Sequence, residues 1–215
     1  MSDTLLITGF EPFAGDVLNP SWEVARALDG RRIAGRRIVA RKLPCAFRTA
    51  LPLLADAIDG LKPKGVIALG LAGSRPAVSV ERVAINLVDA RIADNLGAQP
   101  IDEPVLADAP AAYFSTLPIK AIAAGLREAN LPVEISQTAG TFVCNQVFFG
   151  LMHHLKNLPG VRGGFIHLPP LPEQAARHPG TRPLALAQQV QAIELAAAIM
   201  LTRSADLRVT AGAID

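Results

Sequence analysis

Two cysteines, Cys45 and Cys144, and four histidines, His153, His154, His167 and His178, are the side chains through which this 215-residue chain could attack a carbonyl. A thiol acts as a nucleophile when a base takes its proton and later passes a proton to the leaving amine. Cys144 closes the run T-A-G-T-F-V-C-N and stands at or near a helix N-terminus. The positive end of the helix dipole there favours a thiolate, and the free N–H groups of the first turn offer donors to a developing oxyanion. The competing reading is a small buried apolar residue, which most free cysteines are. Local sequence leaves the two open. Cys45, in L-P-C-A-F, follows no comparable turn and reads as core or strand-end packing.

Among the histidines, His153 and His154 lie a turn or more into the helix that Cys144 begins, and neither curls back easily to its own helix start. His178 sits in a Pro-rich loop of unassigned position. His167 ends the strand-like run G-F-I-H-L-P and is the best base, although a lone strand-end histidine is more often structural. The imidazole needs an acceptor that sets its tautomer. Glu81 interrupts the apolar run S-V-E-R-V-A-I, and a carboxylate in such a strand seldom lacks a partner. A surface salt bridge on an edge strand accounts equally well for that stretch, and Asp89, Asp94 and Asp102 are rivals. The adjacent pair His153-His154 lacks the four-residue spacing of a metal face, and two cysteines cannot complete a zinc site, so no metal is expected. Gly70-Leu71-Ala72-Gly73 matches neither a dinucleotide nor a phosphate loop.

The elements that must hold these residues alternate. Short apolar runs at Leu5–Thr8, Arg37–Leu43, Gly65–Leu69, Val133–Ser136 and Gly164–Leu168 read as strands, and Val78–Ile85 as one more strand with no assigned partner. Helices are expected from Asn19-Pro20, with Asn19 as N-cap, then over Phe47–Leu61, Ile119–Ala129 and Cys144–Asn157. A last amphipathic helix opens at Pro183, with Leu186, Val190, Ile193, Ala197 and Met200 on one face. This order predicts an α/β fold with a mostly parallel sheet covered on both sides, in a single domain spanning residues 1–215. In such sheets ligands bind beyond the strand ends, which selects Gly9-Phe10, Gly70-Leu71, Gln137–Cys144 and His167. The polar, proline-bearing stretch 86–113 is too long to be filler inside a compact domain and is read as a lid, a subunit contact, or both.

Composition narrows the classes. Net charge is +2 and half the residues are hydrophobic, ordinary globular values. The short basic run Arg31-Arg32 to Arg36-Arg37 reads as solvated surface and not as a nucleic-acid face. No apolar stretch suits a bilayer, the start carries no basic leader, and two cysteines suit a reducing compartment, so a cytoplasmic protein is expected.

Taken together, several motifs in order resemble the pyroglutamyl peptidase type I family, from Gly9 to about Ala175. They are G-F-E-P-F with N-P-S, E-R-V-A-I-N with D-A-R-I-A-D-N, A-A-Y-F-S-T-L-P-I-K, T-A-G-T-F-V-C-N, and G-F-I-H-L-P with L-P-E-Q-A. The resemblance implies a Cys–His–Glu triad at Cys144, His167 and Glu81. It also implies an arginine near the site at Arg91, and Phe10, Phe13 and Phe142 around the substrate ring, with Asn19 in the matched N-P-S. The implied fold is a three-layer α/β/α domain similar to nucleoside phosphorylases. The implied activity is removal of N-terminal pyroglutamyl residues without a cofactor, commonly by homotetramers. Ala14, Leu71 and Gln137 depart from the family's usual Gly, Gln and Asn, which bears on substrate affinity. The rival readings are a nucleoside phosphorylase, which needs a phosphate site, and a pyroglutamyl-binding protein without turnover.

Overall fold

The structure, a computed structural model, describes residues 3–212. Its first half alternates β1 (Thr4–Phe10), α1 (Pro20–Leu28), β2 (Arg32–Ile33), β3 (Arg36–Leu43), α2 (Ala50–Leu61) and β4 (Gly65–Leu71). Then come the short strands β5 (Val78–Glu81), β6 (Val83–Ile85) and β7 (Ala112–Phe114). α3 (Ile119–Glu128), β8 (Val133–Ser136), α4 (Val143–Leu155), β9 (Arg162–Leu168) and α5 (Leu186–Thr202) complete it.

Seven strands form one sheet in the order β2-β3-β1-β4-β9-β5-β8. The run β3-β1-β4-β9 is parallel throughout, and β8 is parallel to β5. β5 itself runs antiparallel to β9, and β2 antiparallel to β3. The mostly parallel α/β architecture expected from the sequence is therefore present.

Alternation along the strands sorts side chains into two cores. Leu5, Ile7, Ile67, Leu69, Val78, Val80, Ile166 and Leu168 face the layer of α1, α3 and α5. Leu6, Phe10, Val66, Ala68 and Phe165 face α2 and α4. His167, set between Ile166 and Leu168, and Glu81, one beyond Val80, are thereby turned towards α4, the helix that carries Cys144.

The run Val78–Ile85, read as one strand, is two. β5 and β6 are separated at Arg82, and β6 leaves the main sheet to pair with β7. Arg82 is anchored elsewhere, its Nη2 donating to the Ala211 carbonyl at 2.5 Å. The last helix also starts later than expected, at Leu186: Pro183 lies outside it, Ala185 before it is extended, and Leu186 itself is exposed. The basic run lies on the surface, with Arg32 and Arg36 paired to Asp3 and Arg31 to Glu194.

The β1–α1 corner sets one wall of the site. Asn19 caps α1, its Oδ1 accepting from Ser21 N at 3.1 Å, and Pro20 occupies the first turn. Ser21 Oγ accepts from Phe10 N at 2.9 Å, drawing the helix start onto the end of β1. A Cβ at Gly9 would lie 2.3 Å from the Ser21 carbonyl oxygen. Backbone cannot yield as a side-chain tip does, so Gly9→Ala is expected to cost about 2 kcal/mol or more. Thermal or denaturant unfolding measures it directly, and an unchanged midpoint would show that the corner can open.

Candidate active site

Cys144 is the second residue of α4 and is partly buried. Phe142 precedes the helix with extended backbone and offers no side-chain cap. The N–H groups of the first turn are thus left without the capping oxygen that Asn19 gives α1, and they point out at the end where the sulfur sits. Opposite lies the end of β4. A Cβ on Gly70 would stand 3.0 Å from Cys144 Sγ and 2.8 Å from Phe165 Cζ, so glycine leaves the space that the sulfur uses.

His167 comes from β9, where its register partners are Gly70 on β4 and Ser79 on β5. Glu81 is two residues beyond Ser79 on the same face, the diagonal neighbour of His167 across an antiparallel pair. His167 Nδ1 donates to Glu81 Oε1 at 2.7 Å, with both side chains buried. Cys144 lines the same cavity and acts electrostatically on the same imidazole. Burial alone would pull the imidazole's pKa down. The hydrogen bonds and charges of Cys144 and Glu81 outweigh that and raise it to about 9. Cys45 is different: burial, with Cys144, Glu11 and Asp94 nearby, pushes its thiol far up, as expected of an inert packing residue.

The other candidates separate by geometry. Asp94 is a structural knot, with Oδ1 accepting from Leu96 N and Ala98 N and Oδ2 from Phe47 N at 2.7 Å. Asp89 and Asp102 are exposed on the segment 86–113. His153 bonds Tyr113 Oη at 2.9 Å and His154 bonds Asp59 at 2.9 Å, both away from the sulfur. His178, which the sequence could not place, lines the same cavity as Cys144 and meets Asp16 Oδ2 at 3.2 Å.

That cavity holds about 430 Å³ and is lined by Cys144 and His167 together with Phe10, Phe13, Phe142 and Leu71. Phe13 and Phe142 are in contact, ring centroids 5.1 Å apart, which admits no third ring between them. They form one wall, and Phe47 backs it with an edge-on contact to Phe142 at 5.0 Å. Phe10 is almost wholly buried against Phe165. Asn19 also borders the cavity, but its amide is already used: Nδ2 donates to Glu11 O at 3.0 Å while Oδ1 serves Ser21. Arg91 lies exposed at the mouth and makes no ion pair among the described residues. Of the three departures, Leu71 faces the cavity, Ala14 borders it with a left-handed φ of 53°, and Gln137 is exposed.

Arg75 was not singled out from the sequence. It sits in the loop between β4 and β5, and its Nη1 donates to Glu81 Oε1 at 2.7 Å. Nothing in S-R-P distinguishes it from a solvated arginine; only the fold shows its partner.

Matching this geometry to known proteins gives a consistent result. The model of the pyroglutamyl peptidase family matches residues 3–203. The chain belongs to the pyroglutamyl peptidase family. The pyrrolidone-carboxylate peptidase of Chromobacterium violaceum is 59% identical over 211 residues, covering 98% of this chain and 99% of the relative. That of Cupriavidus taiwanensis is 58% identical over 211 residues, covering 97% and 98%. The pyroglutamyl peptidase I structure from Bacillus amyloliquefaciens superposes with a TM-score of 0.94 at 40% identity, over 98% of this chain and all of that one. The pyrrolidone carboxyl peptidase of Thermococcus litoralis gives 0.92 at 39% identity, with 98% and 100% covered.

Two outcomes follow from the site's geometry. The folded value of about 9 for His167 exceeds the 6.5 of an unfolded imidazole. Its stabilising contribution is therefore complete below about pH 6.5 and lost as pH rises through about 9. The gap in melting temperature between wild type and His167→Gln should be widest at the acidic end and close across that window; a gap independent of pH would contradict it. Gly70→Ala should displace Cys144 and Phe165 and lower turnover at least about tenfold, since small misplacements of reacting groups are costly; steady-state kinetics decides.

Proposed function

We propose that Cys144, His167 and Glu81 form the catalytic triad with which this pyroglutamyl peptidase removes N-terminal pyroglutamyl residues from peptides. The observation that carries the assignment is the 2.7 Å bond from His167 to Glu81, with Cys144 and His167 converging beside Gly70 on one cavity. The proton that the sulfur gives up is held on His167, whose raised pKa suits that task. The sulfur attacks the pyroglutamyl carbonyl carbon, and the carbonyl oxygen takes the negative charge. The first-turn N–H groups of α4 face that oxyanion, and Arg91 at the cavity mouth adds positive potential. The C–N bond then breaks as His167 protonates the leaving amine. Water, deprotonated by His167, attacks the thioester, the C–S bond breaks, and pyroglutamate leaves.

The substrate is a flat lactam with no ammonium, so its pocket needs no carboxylate. An aromatic wall of Phe13 and Phe142 over the end of β1, with Phe10 beneath, suits one face of the lactam. Asn19 contributes by fixing α1 and the loop that carries Phe13, and Leu71 presents an apolar contact. We take residues 1–215 as one peptidase domain. Among the described residues no helix is long and apolar enough to cross a membrane. We place the enzyme in the cytoplasm, consistent with two unpaired thiols, working without a cofactor or metal and as a homotetramer like others of its family. The segment 86–113 is tied to this chain's own core: Asn145 holds Ile85 and Leu87, and Asn86 holds Leu106. Those ties favour a fixed rim that contributes to subunit contacts over a mobile lid.

Release of a fluorescent amine from a pyroglutamyl amide tests the assignment. Wild type should turn over, Cys144→Ala should lose at least about 10⁴-fold, and Glu81→Gln should lose about 10²-fold or more. Equal rates for wild type and Cys144→Ala would remove Cys144 as nucleophile.

A further inference from the structure

The attack described above makes no use of Arg75, which lines the same cavity. Arg75 Nη1 donates to Glu81 Oε1 at 2.7 Å and to Ser136 Oγ at 3.0 Å, and Nη2 donates to the Thr138 carbonyl at 2.8 Å. Ser136 Oγ in turn donates to Thr138 O and accepts from Thr138 N. One planar guanidinium thus spans the triad carboxylate, the end of β8, and the segment 137–142 that runs into the nucleophile's helix. The carboxylate oxygen it touches is the one that accepts from His167 Nδ1, while Glu81 Oε2 is buried with no partner.

We propose that Arg75 is a positioning residue, whose fork selects the Glu81 oxygen presented to His167 and ties it to the loop leading to Cys144. The proposal rests on the Cys144–His167–Glu81 reading of the site. The end torsion of a glutamate is broad and roughly two-fold, so the carboxylate does not set its own orientation. With Glu81 fully buried and Arg75 a quarter exposed, the pair is not the weak solvent-facing kind. Removing Arg75 would leave the buried carboxylate with the His167 hydrogen bond alone.

Among the described residues, no other arginine or lysine takes its place. From β9, His167 faces Glu81, and beyond it Cys144 from α4. On β8, Glu134 is held by Ser79 Oγ at 2.5 Å, and Arg82 is turned to Ala211. Among the described residues, Arg75 is the only arginine or lysine bonded to the carboxylate. Lysine would keep the charge but not the fork, because an ammonium lacks the two coplanar donor edges that reach Glu81 and Thr138 together.

The test is steady-state hydrolysis of a pyroglutamyl amide over a range of pH by wild type, Arg75→Met, Arg75→Lys, Glu81→Gln and the Arg75→Met/Glu81→Gln double variant, with thermal unfolding alongside. Arg75→Met should lose about tenfold to a hundredfold in kcat with KM changed less than about threefold. Its kcat/KM profile against pH should move as well, because the raised pKa of His167 depends on the hydrogen bond to the Glu81 oxygen that Arg75 holds. Arg75→Lys should recover the pH profile but only part of kcat. On the Glu81→Gln background, Arg75→Met should add little, and that double variant buries no unpaired charge should the single one fold poorly. A lowered melting temperature with kcat and pH profile intact would make Arg75 a structural tie and overturn the proposal. So would a rise confined to KM, which would place Arg75 on the substrate, or full additivity with Glu81→Gln. Failure of the triad itself reads differently, as undiminished turnover by Cys144→Ala.

Discussion

A fully buried carboxylate inside a β-sheet is the constraint around which this protein is arranged. Glu81 sits on β5 with no exposed surface, and one of its oxygens accepts both the His167 imidazole and the Arg75 guanidinium at 2.7 Å. Burying such a group is costly unless it is hydrogen-bonded and paired. Much of the local architecture meets that demand. β5 runs antiparallel to β9, which makes Glu81 and His167 diagonal neighbours on one face, and the loop before β5 returns Arg75 over the same face. In the proposed triad the carboxylate sets the imidazole, and the imidazole receives the proton that the sulfur gives up.

The remaining elements bring that assembly to a carbonyl. α4 starts without a side-chain cap, so its first N–H groups stay available beside Cys144. Gly70 clears room for the sulfur over β4, and Gly9 lets α1 close on β1 so that the loop bearing Phe13 overhangs the same cavity. Asn145, next to Cys144, is fully buried and spends its amide on Ile85 N, Ile85 O and Leu87 O. The helix carrying Cys144 and the rim that reaches Arg91 are therefore bound to each other by one side chain. Stability and geometry of the site share the same bonds.

Much of this was legible in the residues, and the exceptions have physical causes. Apolar runs of strand length, alternating with helices of period near 3.6, reveal the α/β order because burial imposes those patterns locally. Asn19-Pro20 marked a helix start for the same local reason. Cys144, His167 and Glu81 stood out because each type is out of place in its setting: a thiol after a Gly–Thr turn, an imidazole at a strand end, a carboxylate in an apolar run. The break at Arg82 was not visible, since Val78–Ile85 keeps its alternation while the chain changes sheets. The antiparallel placement of β5 was equally hidden, because strand direction depends on partners far along the chain. Arg75 was missed because its function as an anchor exists only once Glu81, Ser136 and Thr138 converge. Phe10, Phe13 and Phe142 were named by resemblance, but the wall that Phe13 and Phe142 make depends on a 5.1 Å contact that no sequence pattern encodes.

The central claim is that acyl transfer passes through the sulfur of Cys144. Rapid quenching of the enzyme with an excess of an activated pyroglutamyl ester, followed by peptide mapping in a mass spectrometer, observes that step itself. The account predicts a pyroglutamyl adduct on the peptide containing Cys144, transient in wild type and long-lived in His167→Gln if acylation by the activated ester persists there, with none on Cys45. Turnover of the ester with no adduct on Cys144 at any quench time, or an adduct on Cys45 instead, would contradict it.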